Sequence, residues 1–84
     1  MPGLIKIGST SKDPNERAKQ ISRGTGVPVE FDVKYAYRCF NAERLERELH
    51  KYFKSYRTNN KKEFFQLDLD KARYNIKKLG KKYL

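Results

Sequence analysis

Short apolar runs of strand type alternate with helical stripes along this chain, and the alternation limits the folds open to it. The strand-type runs occupy residues 4–7, 29–39 and 63–67. The longest run, residues 29–39, alternates apolar and polar side chains, which is the pattern of a strand with one buried face. A helical segment follows each run. The order β-α-β-α-β-α therefore predicts a single small mixed α/β (α+β) domain over residues 1–84.

Capping residues predict where the helices begin. Asp13 can cap a helix whose first residue is Pro14, a residue favoured at that position. We expect this helix to end near Ser22, just before two glycines. The same reasoning predicts two later helices, one from Asn41 to about Tyr56 and one opened by Asp68 or Asp70. The second helix should bury a stripe consisting of Ala42, Leu45, Leu49, Tyr52, Phe53 and Tyr56.

The chain is strongly basic. It has 20 Lys and Arg residues against 10 Asp and Glu, which gives a formal charge of +10 and a pI near 9.9. Self-repulsion of so much charge opposes folding, and the excess is spread along the chain rather than gathered in a tail. We therefore expect a basic surface on a folded body with a polyanion as its partner; the alternative is that the charge serves only to keep the protein in solution.

Hydropathy and residue counts exclude several other classes. The mean hydropathy is −0.98, and no run approaches the ~18 apolar residues of a membrane span. One cysteine and one histidine exclude a disulfide framework and a metal site rich in either residue. These features predict a cytoplasmic protein that does not act in a membrane.

Basic side chains form clusters that predict contacts with nucleic acid. One cluster is a stripe on the second helix, and another flanks a polar loop; their members are Arg44, Arg47, Lys51 and Lys54, then Arg57, Lys61 and Lys62. A third cluster ends the last helix, where cations also complement the helix dipole. Tyr35 and Tyr37 either stack on unpaired bases or, as their shared face with Val33 favours, pack in the core.

A set of motifs occurs in a characteristic order. Lys6-Ile7-Gly8 is followed by Arg17, then by the run LERELH at residues 45–50, Tyr56-Arg57, and Glu63-Phe64-Phe65. In this order the motifs resemble those of the GIY-YIG nuclease superfamily, and most closely its phage-type DNA-binding branch, which carries KIG in place of YIG. The resemblance covers roughly residues 3–67. It implies an antiparallel sheet flanked by helices.

The resemblance also implies roles for individual residues. Gly8 would shape the turn after the motif strand, and Arg17 would contact the scissile phosphate. Glu46 would bind a divalent metal, Mg²⁺ or Mn²⁺. Lys6 stands where the superfamily has its second motif tyrosine, and His50 matches a recurrent position of the branch.

One feature of the family lies outside the resemblance. The strand that carries the first motif tyrosine would precede residue 1, and Lys6 replaces the second tyrosine. In the family these tyrosines position and deprotonate the attacking water. We therefore expect a DNA-binding domain related to metal-dependent endonucleases, with binding favoured over phosphodiester cleavage. The missing strand would leave an open sheet edge, so the alternative is a protein-interaction domain that pairs there with a second copy or a partner strand.

Residue spacing alone leaves two alternatives open for the predicted site. Glu46 lies at the edge of the apolar stripe of its helix, where it is either a functional carboxylate or a surface partner of Arg17 or His50. An exposed pair of that kind contributes at most ~1 kcal/mol. His50, one turn after Glu46, either shares a metal with it or packs at the core edge and hydrogen-bonds a neighbour.

Overall fold

Three helices and a two-stranded antiparallel sheet make up the described part of the chain. The computed structural model describes residues 4–24, 32–58 and 64–84. The elements are β1 (Leu4–Lys6), α1 (Pro14–Gly24), α2 (Ala42–Tyr52), β2 (Phe64–Gln66) and α3 (Leu69–Gly80), with 3-10 turns at Lys54–Tyr56 and Lys81–Tyr83. The predicted class, a small mixed α+β domain with an antiparallel sheet, is confirmed. Within the described ranges, no helix is long and apolar enough to cross a membrane.

The sheet brings the two ends of the motif region together. Lys6 of β1 lies opposite Phe64 of β2, and Ile5 lies opposite Phe65. Arg57 forms an isolated bridge with Phe65. Since Phe65 pairs with Ile5 on one side, Arg57 must lie on the other side of β2. In residues 4–24, 32–58 and 64–84, no further strand pairs with the outer side of β1.

The predicted central strand is wrong over residues 32–39, which form no strand; residues 29–31 lie outside the described residues. The alternation is present over residues 35–39, because Tyr35, Tyr37 and Cys39 are half-buried while the residues between them are exposed. Val33, which belongs to the same predicted face, is 37% exposed, so the prediction is wrong at that residue. The half-buried side chains pack on the helical layer instead of joining a sheet. A Cβ built on Gly80 would overlap the Tyr37 ring. Side-chain packing on α3 thus replaces the expected backbone ladder.

Two of the predicted helix starts are confirmed by capping hydrogen bonds. The Asp13 carboxylate accepts from the backbone N–H of Asn15 at 2.8 Å and of Glu16 at 3.4 Å. The Asp68 carboxylate accepts from the N–H of Lys71 at 3.3 Å. These bonds satisfy donors that the first helical turn leaves unpaired. α1 continues to Gly24, two residues beyond the predicted end.

The second helix differs from its prediction at both ends. Asn41 precedes it as expected, but its backbone is left-handed (φ 53°) and its side chain makes no capping bond. The α-helix ends at Tyr52, and the chain tightens into the 3-10 turn that follows. The tighter turn rotates Tyr56 away from the buried stripe. Tyr56 is 36% exposed, and Tyr52, at the last position of α2 and at the edge of the stripe, is 55% exposed, whereas Phe53 is fully buried.

The core lies between α2, β2 and α3. Its buried members are Ile7, Leu45, Leu49, Phe53, Phe65, Leu67, Ala72 and Tyr83. The aromatic rings of Phe53 and Phe65 meet edge-on, with their centroids 6.4 Å apart. Ile7 carries the end of β1 into this core. The core therefore fixes the residues just before and after Ile7 relative to α2.

Candidate nucleic-acid interface

An open pocket lies where the end of β1 meets α1 and α2. Its lining consists of Ser9, Arg17, Glu43, Glu46 and Arg47. Three of these residues lie on α2 at positions 43, 46 and 47, and this spacing places them on one flank of the helix. Arg17 comes from the beginning of α1, and Ser9 follows the turn at the end of β1. The fold thus brings together Arg17 and Glu46, which are 29 positions apart in the sequence.

Lys6 adds a third cation beside this pocket. Partial burial lowers the pKa of Lys6 from its usual 10.5; the carboxylate of Glu46 opposes that change and the nearby charge of Arg17 adds to it. The ammonium lies 5.6 Å from the centroid of the Phe64 ring. Lys6, Arg17 and Glu46 are therefore within electrostatic reach of one another. The pocket therefore combines the Glu46 carboxylate with cations. A phosphate could take the place of that carboxylate as the partner of the cations.

His50 is held against the end of β1. Its Nε2 atom lies 2.8 Å from the carbonyl oxygen of Ile7 and 3.9 Å from a carboxylate oxygen of Glu46. Its ring packs on Phe65, with the centroids 5.1 Å apart. Donation to the carbonyl requires a proton on Nε2, and that nitrogen is then not free to coordinate a metal. The geometry favours the alternative in which His50 orients its neighbours.

The other predicted nucleic-acid contacts fall into three groups. The four side chains of the predicted stripe are all exposed; Arg44, Arg47 and Lys51 share the outer face of α2, and Lys54 lies in the 3-10 turn that follows. Arg57 is half-buried instead, with its guanidinium 5.7 Å from the Phe65 centroid and its Nε atom buried without a hydrogen-bond partner. Lys61 and Lys62 lie outside the described residues. The outer face of α2 joins the pocket through Arg47, so the two form one basic surface.

The pocket's oxygen donors suit a hydrated divalent ion. Mg²⁺ typically binds one or two carboxylates and retains several waters, and the pocket offers Glu43, Glu46 and the hydroxyl of Ser9. Within the described ranges, no group of three or more His, Cys, Asp or Glu residues could hold a metal. An ion held by this lining would have to retain much of its water. Glu43 and Ser9 were not predicted, although the spacing of Glu43 three residues before Glu46 was a readable signal.

Comparison with known proteins identifies a family for this chain. The family model of the T5orf172 domain matches residues 1–80. This domain is phage-associated and related to homing-endonuclease and GIY-YIG-like folds. Neither the curated proteins nor the solved structures gave a match.

Proposed function

This chain belongs to the T5orf172 domain family, and on that premise we propose that it binds DNA through the phosphate backbone as a member of the KIG branch of GIY-YIG-like domains. The observation that carries the proposal is the pocket, where Arg17 and Arg47 meet Glu46 beside Lys6. Cations on a rigid helix and strand end suit a phosphate diester, because their positions are fixed before the ligand arrives.

The basic outer face of α2 extends the same surface. Its exposed side chains suit contact with neighbouring phosphates, and such contacts position a duplex without reading its sequence. Each phosphate contact releases counterions, so affinity should fall steeply with salt. We therefore propose binding that is strongly salt-dependent and weakly sequence-selective.

Phosphodiester cleavage is the second part of the proposal. Glu46, with Glu43 beside it, would hold Mg²⁺ or Mn²⁺, and Arg17 would neutralise charge on the phosphate. When bound, the ion supplies Lewis-acid polarisation of a phosphate oxygen and a more acidic water. The lowered pKa of Lys6 brings its amine closer to the neutral form that can accept a proton. Lys6 would in this way take over work that the family's motif tyrosine performs.

Plasmid nicking and a gel shift test the two parts separately. The intact chain is incubated with supercoiled plasmid and Mg²⁺ or Mn²⁺, beside Glu46→Gln and a chelator control. Nicking that both controls abolish supports cleavage. A shift without nicking, weakened by Arg17→Ala, supports binding alone and rejects cleavage. If no shift forms at low salt, the proposal of DNA binding is wrong.

The outer side of β1 favours a second candidate function, a protein-interaction domain. In the described ranges no strand covers that side, and an open edge can accept a partner strand. Gel filtration separates the candidates. A dimer that is unaffected by added DNA would favour the interaction domain, whereas a monomer that forms a salt-sensitive DNA complex would reject it.

A further inference from the structure

Exposed tyrosines alternate with lysines on a surface that the pocket does not use. The surface runs from the end of α2 along the outer face of α3, and we call it the tyrosine–lysine face; it consists of Tyr52, Tyr56, Lys71, Tyr74 and Lys78. We propose that this face binds single-stranded DNA, with unpaired bases stacked on its tyrosine rings and phosphates held by its lysines.

Contacts within the face show that it is continuous. The ammonium of Lys71 donates to the hydroxyl of Tyr56 at 2.5 Å and lies 4.7 Å from its ring centroid. That hydrogen bond raises the pKa of Lys71, and nearby Tyr52 adds to the effect. Lys71 therefore connects the end of α2 to the beginning of α3.

The face continues along α3 with helical spacing. Lys71, Tyr74 and Lys78 are spaced i, i+3 and i+7, so they point to the same side of the helix over about 10 Å of its length. The ammonium of Lys78 lies 6.0 Å from the Tyr74 centroid. Ala72 and Asn75, by contrast, are buried, and they lie beside this row rather than in it. The face is thus a ridge on which rings and cations follow one another.

Two of the three rings of this face are largely open to solvent. Tyr74 is 65% exposed and Tyr52 is 55% exposed, so much of their surface does not serve the core. Exposed aromatic rings beside cations are the arrangement by which proteins hold unpaired bases and their backbone. In a duplex the bases are stacked inside, so only the backbone phosphates would be accessible to exposed tyrosine rings. The chemistry of the face therefore fits a single strand better than a duplex.

The tyrosine–lysine face is separate from the pocket. Glu43, Glu46 and Arg47 lie on one flank of the buried stripe of α2, whereas Tyr52 shares the other flank with Glu48. That second flank meets the end of α3, since Glu48 accepts a hydrogen bond from the Tyr83 hydroxyl at 2.9 Å. One molecule can thus contact duplex phosphates at the pocket and an unpaired strand at the face. The choice of DNA over RNA rests on the proposed function.

Binding of labelled oligonucleotides to the intact chain tests the proposal by fluorescence anisotropy at one fixed low salt concentration. The probes are an oligothymidylate of about 12 nucleotides and an abasic oligomer of the same length. Tyr74→Ala should weaken binding of the oligothymidylate about 5- to 150-fold, which is the range expected for one lost base stack. Tyr74→Phe should bind within about twofold of the wild type, because the ring remains. Neither variant should change binding of the abasic oligomer, which has phosphates but no bases.

Phe40 provides a matched control, since it is 75% exposed and lies outside the face. The proposal of base stacking on this face is wrong if Phe40→Ala loses as much affinity as Tyr74→Ala. It is also wrong if Tyr74→Ala weakens binding of the abasic oligomer as much as binding of the oligothymidylate. Tighter binding of oligouridylate than of oligothymidylate would overturn the choice of DNA.

A duplex probe separates this proposal from the proposed function. We expect Tyr74→Ala to leave duplex binding unchanged and Arg17→Ala to weaken it. If the chain binds the duplex but no single strand, the proposal for the tyrosine–lysine face is wrong and the proposed function stands. If the chain binds a single strand in a way that depends on Tyr74 but does not bind the duplex, the proposal for the tyrosine–lysine face is supported and the proposed function is wrong.

Discussion

Lys6 lies at the end of β1, where its charge is less well solvated than that of an ordinary surface lysine. Burial is the largest cause of its lowered pKa, and the positive charge of Arg17 acts in the same direction. A protonated Lys6 therefore opposes folding, and a phosphate bound in the pocket would relieve that opposition. At this single residue, stability is given up to keep a cation beside the pocket.

This balance predicts a pH-dependent stability difference between the wild type and Lys6→Met. Between the folded pKa of Lys6 and 10.5, the unfolded wild type binds more protons than the folded one, so its stability gains with rising pH. The methionine variant lacks that gain. Relative to Lys6→Met, the wild type should become more stable as pH rises from 7 towards 10, measured by urea unfolding. Lys12→Met, at an exposed position, is the control, and a Lys6→Met difference that stays constant with pH would contradict the prediction.

His50 supports a second prediction at the scale of the residue. Its hydrogen bond to the Ile7 carbonyl joins α2 to the end of β1 at 2.8 Å, and Ile7 is buried. His50→Ala leaves that carbonyl without its partner and should lower the free energy of unfolding by about 1–3 kcal/mol. His50→Gln can donate from its amide and should recover part of the loss. Urea denaturation measures both, and equal losses in the two variants would show that ring packing on Phe65, not the hydrogen bond, is what matters.

At the scale of the element, the sequence predicts correctly those features that depend only on neighbouring residues. Asp13 and Asp68 each cap the helix that directly follows, because a cap depends on only three or four neighbouring residues. Residues 32–39 show the opposite case. Their alternation indicated correctly that Tyr35, Tyr37 and Cys39 face inward, though not that Val33 is exposed. Periodicity also does not reveal whether a backbone finds a hydrogen-bonding partner far along the chain. In this fold that inward face packs on α3.

The contact between Tyr37 and Gly80 tests that packing. Replacing glycine with alanine near a helix end usually stabilises a helix by up to ~1 kcal/mol. At Gly80 the added Cβ would overlap the Tyr37 ring, so Gly80→Ala should instead lower stability by about 1–3 kcal/mol. Gly8→Ala is the control, because the nearest atom to its Cβ would be the Lys6 ammonium nitrogen at an ordinary 3.9 Å. Thermal unfolding measures both, and a stabilised Gly80→Ala would show that residues 32–39 do not pack as described.

At the scale of the whole molecule, basic side chains lie on two surfaces that differ in chemistry. The pocket and the outer face of α2 combine cations with carboxylates, whereas α3 combines cations with exposed rings. The sequence motifs led to Arg17 and Glu46, since their order along the chain matched a known pattern. They did not lead to Tyr52 or Tyr56 as surface residues. Tyr52 lies inside the helix at the edge of the apolar stripe, and a stripe extrapolated past it to Tyr56 cannot foresee the change to a 3-10 turn. Exposure there depends on how the turn packs, which is a property of the assembled fold.

Binding of a long duplex by the intact chain provides a prediction that belongs to the molecule as a whole. If phosphates are held by several cations at once, the logarithm of affinity should fall linearly with the logarithm of salt concentration, at about 0.9 per neutralised phosphate. Arg17→Ala and Arg47→Ala should each reduce that slope by about 1, since each removes one phosphate contact. Lys12→Ala, exposed and outside the pocket lining, should leave the slope unchanged. Equal reductions in all three variants would mean that net charge, rather than the arrangement of the pocket, holds the DNA.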